Sequence, residues 1–303
     1  MKPFGTLAAT VPIADIAFEF DPVLRFAGGA VRLEPLALAV AVLVALLVAA
    51  WIAIRTPVDG TAAGESARLR IDDLVFVVLG IVPGAVAGGR LGYVLLHLDY
   101  YGAHPEAILD PGQGSMELAL AVVGGALTGA CAARLLGEPV SRWFHAAALP
   151  TLAGLALGKL AMAIGGSGQG APTDVAWATS YLGPGPWGSL GPAIPSHPAQ
   201  LYEAIATGVV LLVMTAALSV GVFARHDGLA FLAAIGGWAA ARVVVAATWR
   251  DAAVAGPLRA EQLISLAVLA ACLAIAAIVL RRRPAPQPAH DPMWPEAEAP
   301  SRS

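Results

Sequence analysis

The sequence predicts an all-α integral membrane protein with about seven transmembrane helices and a small extracytoplasmic cap. Composition is the first observation behind this prediction: 58% of the 303 residues are apolar and 13% are charged. A soluble domain has roughly 45–50% apolar and about 25% charged residues. The second observation is the length of the apolar runs, because a helix needs about 20 apolar residues to cross a bilayer core. The net charge of −3 does not indicate a nucleic-acid partner.

Seven such runs follow one another along the chain. They must be helices, because lipid offers no hydrogen-bond partner to open backbone groups. The predicted spans cover residues 36–54, 74–96, 118–136, 146–164, 204–223, 229–248 and 263–280. They divide the chain into an extracytoplasmic N-terminal segment (1–35), a seven-helix transmembrane domain (36–280) and a disordered cytoplasmic tail (281–303) rich in Pro, Ala and Glu.

Positive charges in the loops predict the orientation, because cytoplasmic loops carry an excess of Lys and Arg. Arginines follow the first, third, fifth and seventh spans: Arg55, Arg68, Arg70, Arg142, Arg225, Arg281, Arg282 and Arg283. We therefore expect the N-terminus outside and the C-terminus in the cytoplasm. The long outer loop at 165–200 is expected to form the cap, and its Trp177, Tyr181 and Trp187 suit the membrane–water interface.

Four charged residues lie within or at the start of predicted spans, where a charge is costly and marks a candidate functional site. Arg90, Lys159 and Arg242 fall near the outer half of their helices, and Glu117 opens the third span. Three cations converging there would suit a lipid phosphate, since arginine can bind two phosphate oxygens at once. The alternative is that each cation extends to the interface and binds nothing in particular.

The most distinctive segment is the run Ser-His-Pro-Ala-Gln-Leu-Tyr-Glu at 196–203. Proline is favoured in the first helical turn, so the fifth helix is expected to begin here. His197, Gln200 and Tyr202 would then lie at the outer mouth of the helix, with Glu203 one turn inside. Polar groups at a helix N-terminus can bind an anion. The alternative is a capped helix start with a structural histidine.

Several motifs resemble those of the bacterial prolipoprotein diacylglyceryl transferases. The run at 197–203 is similar to the family's His-Pro-Ser-Gln-Leu-Tyr-Glu, and Gly-Gly-Arg-Leu-Gly-Tyr-Val-Leu at 88–95 is similar to its Gly-Ala/Gly-Arg-Leu-Gly-Tyr-Val-Leu. Residues 172–178 and 261–265 also resemble family segments, in the same order. The resemblance extends from about residue 21 to residue 280.

The resemblance implies transfer of a diacylglyceryl group from phosphatidylglycerol to the thiol of a lipobox cysteine in a lipoprotein precursor, with glycerol phosphate leaving. It implies a multi-pass protein of the bacterial plasma membrane in which Arg242, Lys159 and Arg90 bind the lipid phosphate. No residue pattern predicts a metal or another cofactor.

Some family positions carry other residues in this chain. A family histidine falls on Ala119, an arginine on Lys159, an asparagine on Met162, and glutamates on Ser167 and Ala246. Glu117, two residues before Ala119, is a candidate substitute base, although residues two apart on a helix point to different faces. Two functions therefore stay open: a diacylglyceryl transferase, or an inactive or repurposed paralogue that binds phospholipid or lipoprotein without this transfer.

Overall fold

The computed structural model describes residues 15–58, 67–110, 113–224 and 226–281. In this part of the chain, seven helical segments of 18–26 residues are long and apolar enough to cross a membrane, which confirms the predicted fold class; the sixth includes a short 3-10 turn at Ala246–Thr248. A short helix lies in the connection between the second and third of these segments. The helices are α1 (Leu33–Ala53), α2 (Ile71–Leu96), α3 (Leu98–Ala103), α4 (Leu118–Leu135), α5 (Val140–Gly165), α6 (Ala199–Ser219), α7 (Leu229–Val245) and α8 (Ala260–Arg281).

Two helices begin five or six residues before the predicted span. Helix α5 starts after Pro139 and α6 after Pro198, each of which is the N-cap residue. The first turns of these helices carry polar side chains, which lower the hydropathy without opposing helix formation. Hydropathy therefore locates the membrane-embedded part of these helices and misses their first turns.

Helices α2 and α4 approach each other closely because glycine recurs every four residues on α2. A side chain at Gly84 or Gly88 would overlap backbone carbonyl groups of α4. The facing positions are Gly80, Gly84, Gly88 and Gly92 on α2, and Leu120, Gly124, Thr128 and Ala132 on α4. At one end of this pair the Glu117 amide donates to the Gly89 carbonyl at 2.8 Å, which fixes where α4 begins.

Short strands lie at the ends of the helix bundle. Strand β1 (Ile16–Phe18) pairs in parallel with β6 (Thr179–Tyr181), which lies in the 165–200 loop. This pairing ties the loop to the N-terminal segment at the end of the bundle where α1 begins and α5 ends, called here the cap end. The other strands form three two-stranded antiparallel pairs: β2 (Val23–Phe26) with β3 (Gly29–Arg32), β4 (Pro57–Val58) with β5 (Ala67–Arg68), and β7 (Ala253–Ala255) with β8 (Leu258–Arg259).

The outer surface of the bundle is apolar, as lipid contact requires. Leucines and valines such as Val42 and Leu47 of α1 are exposed, whereas the principal core is centred on Trp238 and Leu152, both fully buried. The chain is a multi-pass membrane protein. The predicted tail lies outside the described residues from 282 onward, as do residues 1–14 of the predicted N-terminal segment.

Candidate functional site

Four charged side chains from four helices meet at the cap end of the bundle. Lys159 Nζ of α5 lies 2.9 Å from Glu203 Oε2 of α6. Arg242 of α7 bridges two carboxylates: its Nη1 lies 2.9 Å from Glu203 Oε1, and its Nη2 lies 3.1 Å from Glu117 Oε1. The side chains of Arg242, Glu203 and Glu117 are 4%, 2% and 2% exposed. We call these four residues the charge cluster.

The charge cluster contains two positive and two negative groups, so it is neutral as a unit. Buried ions are stable only when they are paired and hydrogen-bonded. The Trp249 ring lies beside both cations, with the Arg242 guanidinium carbon 4.6 Å and the Lys159 ammonium 5.7 Å from the ring centroid. The cations are therefore held between carboxylates and an aromatic face, away from water.

Glu117 is the N-cap of α4. Its two carboxylate oxygens accept from the backbone amides of Ala119 at 2.8 Å and Leu120 at 2.6 Å, while Oε1 also accepts from Arg242. Both carboxylate oxygens are therefore occupied by donors from α4 and from Arg242. These contacts indicate that Glu117 caps α4 and positions Arg242, and its role as a substitute base stays a prediction.

Arg90 does not join the charge cluster, so the expected convergence of three cations is wrong for this residue. Its guanidinium donates to four backbone carbonyls of the segment between α3 and α4, at distances of 2.6–3.0 Å. The acceptors belong to Ala107, Ile108, Asp110 and Gln113. A guanidinium carries five N–H donors in a planar fork, and here the carbonyl oxygens of the connection accept from them. Arg90 therefore fastens this connection to α2.

The 197–203 run opens α6, as the proline predicted. The Trp177 indole donates to the Tyr202 hydroxyl at 2.6 Å, and His197 Nδ1 lies 3.4 Å from the same oxygen. His197 and Tyr202 are half-buried, whereas Trp177 is exposed. This half-exposed group forms a rim where the cap meets α6.

Gln200 and Glu203 lie on the buried face of α6. Gln200 donates to the Tyr181 hydroxyl at 3.0 Å, and that hydroxyl donates to the Ala163 carbonyl at 2.8 Å. Burial raises the pKa of the Tyr181 phenol, and the Gln200 hydrogen bond opposes part of this rise. Tyr181 is only 2% exposed, so its side chain packs between the cap and the helices and not at the membrane–water interface, where a tyrosine of an outer loop was expected.

Residues of the cap and of the N-terminal segment also form hydrogen bonds at the cap end. The Ser167 hydroxyl donates to Glu34 Oε2 at 2.9 Å, and Gly165 leaves the space that the Glu34 carboxylate occupies. Gln169 donates to the Thr179 carbonyl at 3.0 Å. No local sequence pattern indicated Glu34, Gln169 or Thr179, because polar residues are common in loops, short strands and first helical turns.

Fold and site together define a multi-pass membrane protein with an intramembrane polar site under a cap, the arrangement expected where a protein handles the polar part of a lipid. The sequence profile of the family described as prolipoprotein diacylglyceryl transferase matches residues 23–278. The chain belongs to this family.

Relatives of similar length support the assignment. The phosphatidylglycerol–prolipoprotein diacylglyceryl transferase of Geobacter sulfurreducens is 34% identical over 233 residues, covering 74% of this chain and 85% of the relative. The protein of the same name from Methylocella silvestris is 34% identical and covers 71% and 78%. A third, from Rhizobium leguminosarum bv. trifolii, is 30% identical over 251 residues and covers 81% and 83%.

Three of the positions at which this chain differs from its family lie in two environments: two are buried alanines and one is a hydrogen-bonded serine of the cap. Ala119 is fully buried beside Glu117 in the first turn of α4, and Ala246 is fully buried just after α7. Ser167 is hydrogen-bonded to Glu34. A buried alanine carries no proton acceptor, so neither Ala119 nor Ala246 can take part in proton transfer.

Proposed function

We propose that this protein transfers a diacylglyceryl group from phosphatidylglycerol to the lipobox cysteine of a prolipoprotein. Family membership and the names of the relatives support the reaction class. The single observation that carries the proposal is the charge cluster, because it holds two cations inside the bundle at the end where the cap lies.

In this proposal Arg242 and Lys159 bind the phosphate of the lipid. Arg242 Nε has no acceptor among the described residues, although Arg242 is only 3% exposed. A phosphate oxygen would provide that acceptor, and Glu117 and Glu203 keep the guanidinium aimed by holding its other two nitrogens. Because Arg242 is buried, its charge would stabilise a leaving phosphate more strongly than it would in water.

The covalent step joins the cysteine sulfur to the glyceryl carbon and breaks the bond from that carbon to the phosphate oxygen. Glycerol phosphate leaves with the electron pair of the broken bond, and the thiol proton goes to a base. His197 and Tyr202 are proposed to line the mouth through which the peptide approaches, since they form the half-exposed rim at the cap.

The proposed location is the bacterial plasma membrane, with the N-terminus and the cap outside and the tail in the cytoplasm. The arginine distribution supports this orientation, because Arg55 and Arg70 flank the connection from α1 to α2, at the end opposite the cap. Fusing a reporter that is active only outside the cytoplasm to the cap at residue 184, and separately to the C-terminus, tests it. Activity from the C-terminal fusion and silence from the cap fusion would overturn the orientation.

The function itself is tested with purified full-length protein, phosphatidylglycerol and a peptide containing a lipobox cysteine. We expect a thioether-linked product on wild type and none on Arg242→Ala or Lys159→Ala, measured by mass spectrometry. Rescue of a strain depleted of its own transferase is the cellular counterpart. Folded, membrane-inserted protein that neither makes the product nor rescues growth would contradict the proposal.

A second function is favoured by the substituted family positions. Ala119 and Met162 carry no ionisable group, and both cations of the charge cluster are already paired with carboxylates. An inactive paralogue that binds phospholipid or lipoprotein would keep this site without the chemistry. Retained binding of phosphatidylglycerol together with absence of product would favour this alternative.

A further inference from the structure

Three buried side-chain oxygens near the cap have no hydrogen-bond partner among the described residues. They are Gln169 Oε1, Thr179 Oγ1 and Gln200 Oε1. The three residues are 7%, 2% and 2% exposed. Buried polar atoms in folded proteins are almost always paired with protein groups, water or a ligand, so these oxygens are candidate acceptors for a donor outside the protein.

The orientation of both amides follows from their partners. Gln169 Nε2 bonds to the Thr179 carbonyl, which only accepts, so its oxygen is the free atom. Gln200 Nε2 bonds to the Tyr181 hydroxyl, whose hydrogen is already used on the Ala163 carbonyl. The amide oxygen of Gln200 is therefore free as well. The two glutamines present two hydrogen-bond acceptors.

These acceptors lie next to the charge cluster. Gly168 has a left-handed backbone (φ 75°) and packs near Gln200, which brings the neighbouring Gln169 to the same region. Gln200 and Glu203 are three residues apart on the buried face of α6, and residues so spaced are neighbours on a helix surface. Glu203 in turn holds Lys159 and Arg242.

Unpaired donors lie on the other side of Glu203. Arg242 Nε and Trp238 Nε1 are both buried without an acceptor among the described residues. They lie four residues apart on α7, so they share one face of that helix. Donors beside Arg242 and acceptors at Gln200 complement a ligand that carries acceptor oxygens at one end and hydroxyl hydrogens at the other.

We propose that Gln169 and Gln200 form a hydroxyl-accepting subsite that binds the glycerol part of a phosphoglycerol group whose phosphate lies on Arg242 and Lys159. The inference rests on the lipid-phosphate site of the proposed function, but not on the transfer reaction. A phosphodiester has only acceptor oxygens, whereas the terminal glycerol supplies two O–H donors for the two amide oxygens. The subsite selects lipids by headgroup, independently of their acyl chains.

The test compares two lipids of equal charge and identical acyl chains: phosphatidylglycerol and phosphatidylethanol, which lacks the hydroxyls. Binding to the purified full-length protein is measured by lipid titration under native mass spectrometry. We expect wild type to prefer phosphatidylglycerol about 30-fold, since each hydrogen bond contributes roughly 5-fold. Gln169→Met and Gln200→Met should each reduce the preference about 5-fold while leaving phosphatidylethanol binding unchanged.

Gln262 provides the matched control, because it is a buried glutamine whose amide is fully paired. Its Nε2 donates to the Val243 carbonyl at 2.8 Å, and its Oε1 accepts from the Arg259 amide at 2.9 Å. Gln262→Met should change the affinity for both lipids by the same factor. Soluble glycerol phosphate is then tested as a competitor. Competition that is weaker in Gln169→Met and Gln200→Met would show that the subsite also accepts the free phosphoglycerol group. Absence of competition would show that the subsite binds this group only as part of the lipid.

Equal binding of both lipids to wild type would mean that water pairs with these oxygens, and would overturn the inference. Equal weakening of both lipids by Gln169→Met and Gln200→Met would overturn it too, because the glutamines would then act only on the fold. The transfer assay is scored separately. A preserved headgroup preference without product contradicts the proposed function and leaves the subsite supported.

Discussion

Both the cap end and the opposite end of the bundle contain ion pairs, but the pairs at the cap end are more deeply buried. At the cap end, the ion pairs of Arg242 with Glu117 and Glu203 have side chains that are 2–4% exposed. At the opposite end, Arg142 pairs with Asp227 at 2.8 Å, a distance no longer than those at the cap end, with side chains 24% and 29% exposed. The two ends therefore differ in burial and not in distance.

This difference determines how much each pair matters when it is broken. An exposed ion pair contributes about 0.2–1 kcal/mol, because water replaces the lost partner. Removing one partner of a buried pair costs about 3–5 kcal/mol, because a charge is left without solvent or a counter-ion. The opposite end can lose a charge with little effect, whereas the charge cluster behaves as one unit.

Replacing Arg242 should have the largest effect. In Arg242→Met, the carboxylates of Glu117 and Glu203 remain buried with Lys159 as their single counter-ion. We expect a loss of about 3–5 kcal/mol in the free energy of unfolding, together with loss of the proposed transfer. Denaturation of the detergent-solubilised protein measures the free energy of unfolding, and the lipobox-peptide assay measures the transfer. Arg142→Met is the control and should cost no more than about 1 kcal/mol; similar losses in the two variants would refute the contrast.

The coupling energy between partners should be the next largest effect. A double-mutant cycle with Lys159→Met and Glu203→Gln is expected to give an interaction energy of about 1–3 kcal/mol, since the two groups lie 2.9 Å apart and are buried. The corresponding cycle with Arg142→Met and Asp227→Asn should give less than about 1 kcal/mol. Unfolding of the four proteins of each cycle supplies both numbers. Additive effects at Lys159 and Glu203 would mean that the charge cluster is not a unit.

The sequence predicted the fold better than the site, for a physical reason. Hydropathy is a property of each segment, so seven spans could be recognised from local composition alone. A charge within a span is also a local signal, and it singled out Lys159 and Arg242, which both contact Glu203 in the structure. Which group pairs with which charge depends on how the helices are rotated and packed.

Arg242 and Glu117 illustrate this limit. They lie 125 residues apart in sequence and meet because the helices pack so that Arg242 of α7 faces the start of α4. No local pattern contains that information. Arg90 has the same local signal as Arg242, but a nearby connection offers it four carbonyl groups. Gln169 gave no signal at all, since it is a polar residue in a polar loop.

Breaking the contacts of Arg90 should have an intermediate effect. Arg90→Lys keeps the charge but loses the planar set of donors that spans four carbonyls, so we expect a loss of about 1–2 kcal/mol. The connection between α3 and α4 should also exchange its amide hydrogens faster than in wild type. Hydrogen exchange followed by mass spectrometry measures this for residues 104–117. Arg250→Lys is the comparison, because Arg250 follows α7 and donates two hydrogen bonds to the cap; this change should leave that connection unchanged.

The smallest effect concerns Glu138, in the turn between α4 and α5 at the end opposite the cap. Burial raises the pKa of this carboxyl above its usual 4.5, and the nearby charge of Asp73 adds to the rise. A raised native pKa means that the stabilising contribution is complete below about pH 4.5 and is lost as the pH rises through the native value. Glu138→Gln is a permanently neutral substitute, so it should be more stable than wild type by a few tenths of a kcal/mol at neutral pH and equal to it in acid. Thermal unfolding of both proteins from about pH 4 to pH 8 measures the difference. A constant difference at every pH, or one that also appears for the exposed Glu106→Gln, would exclude the carboxyl at 138 as its source.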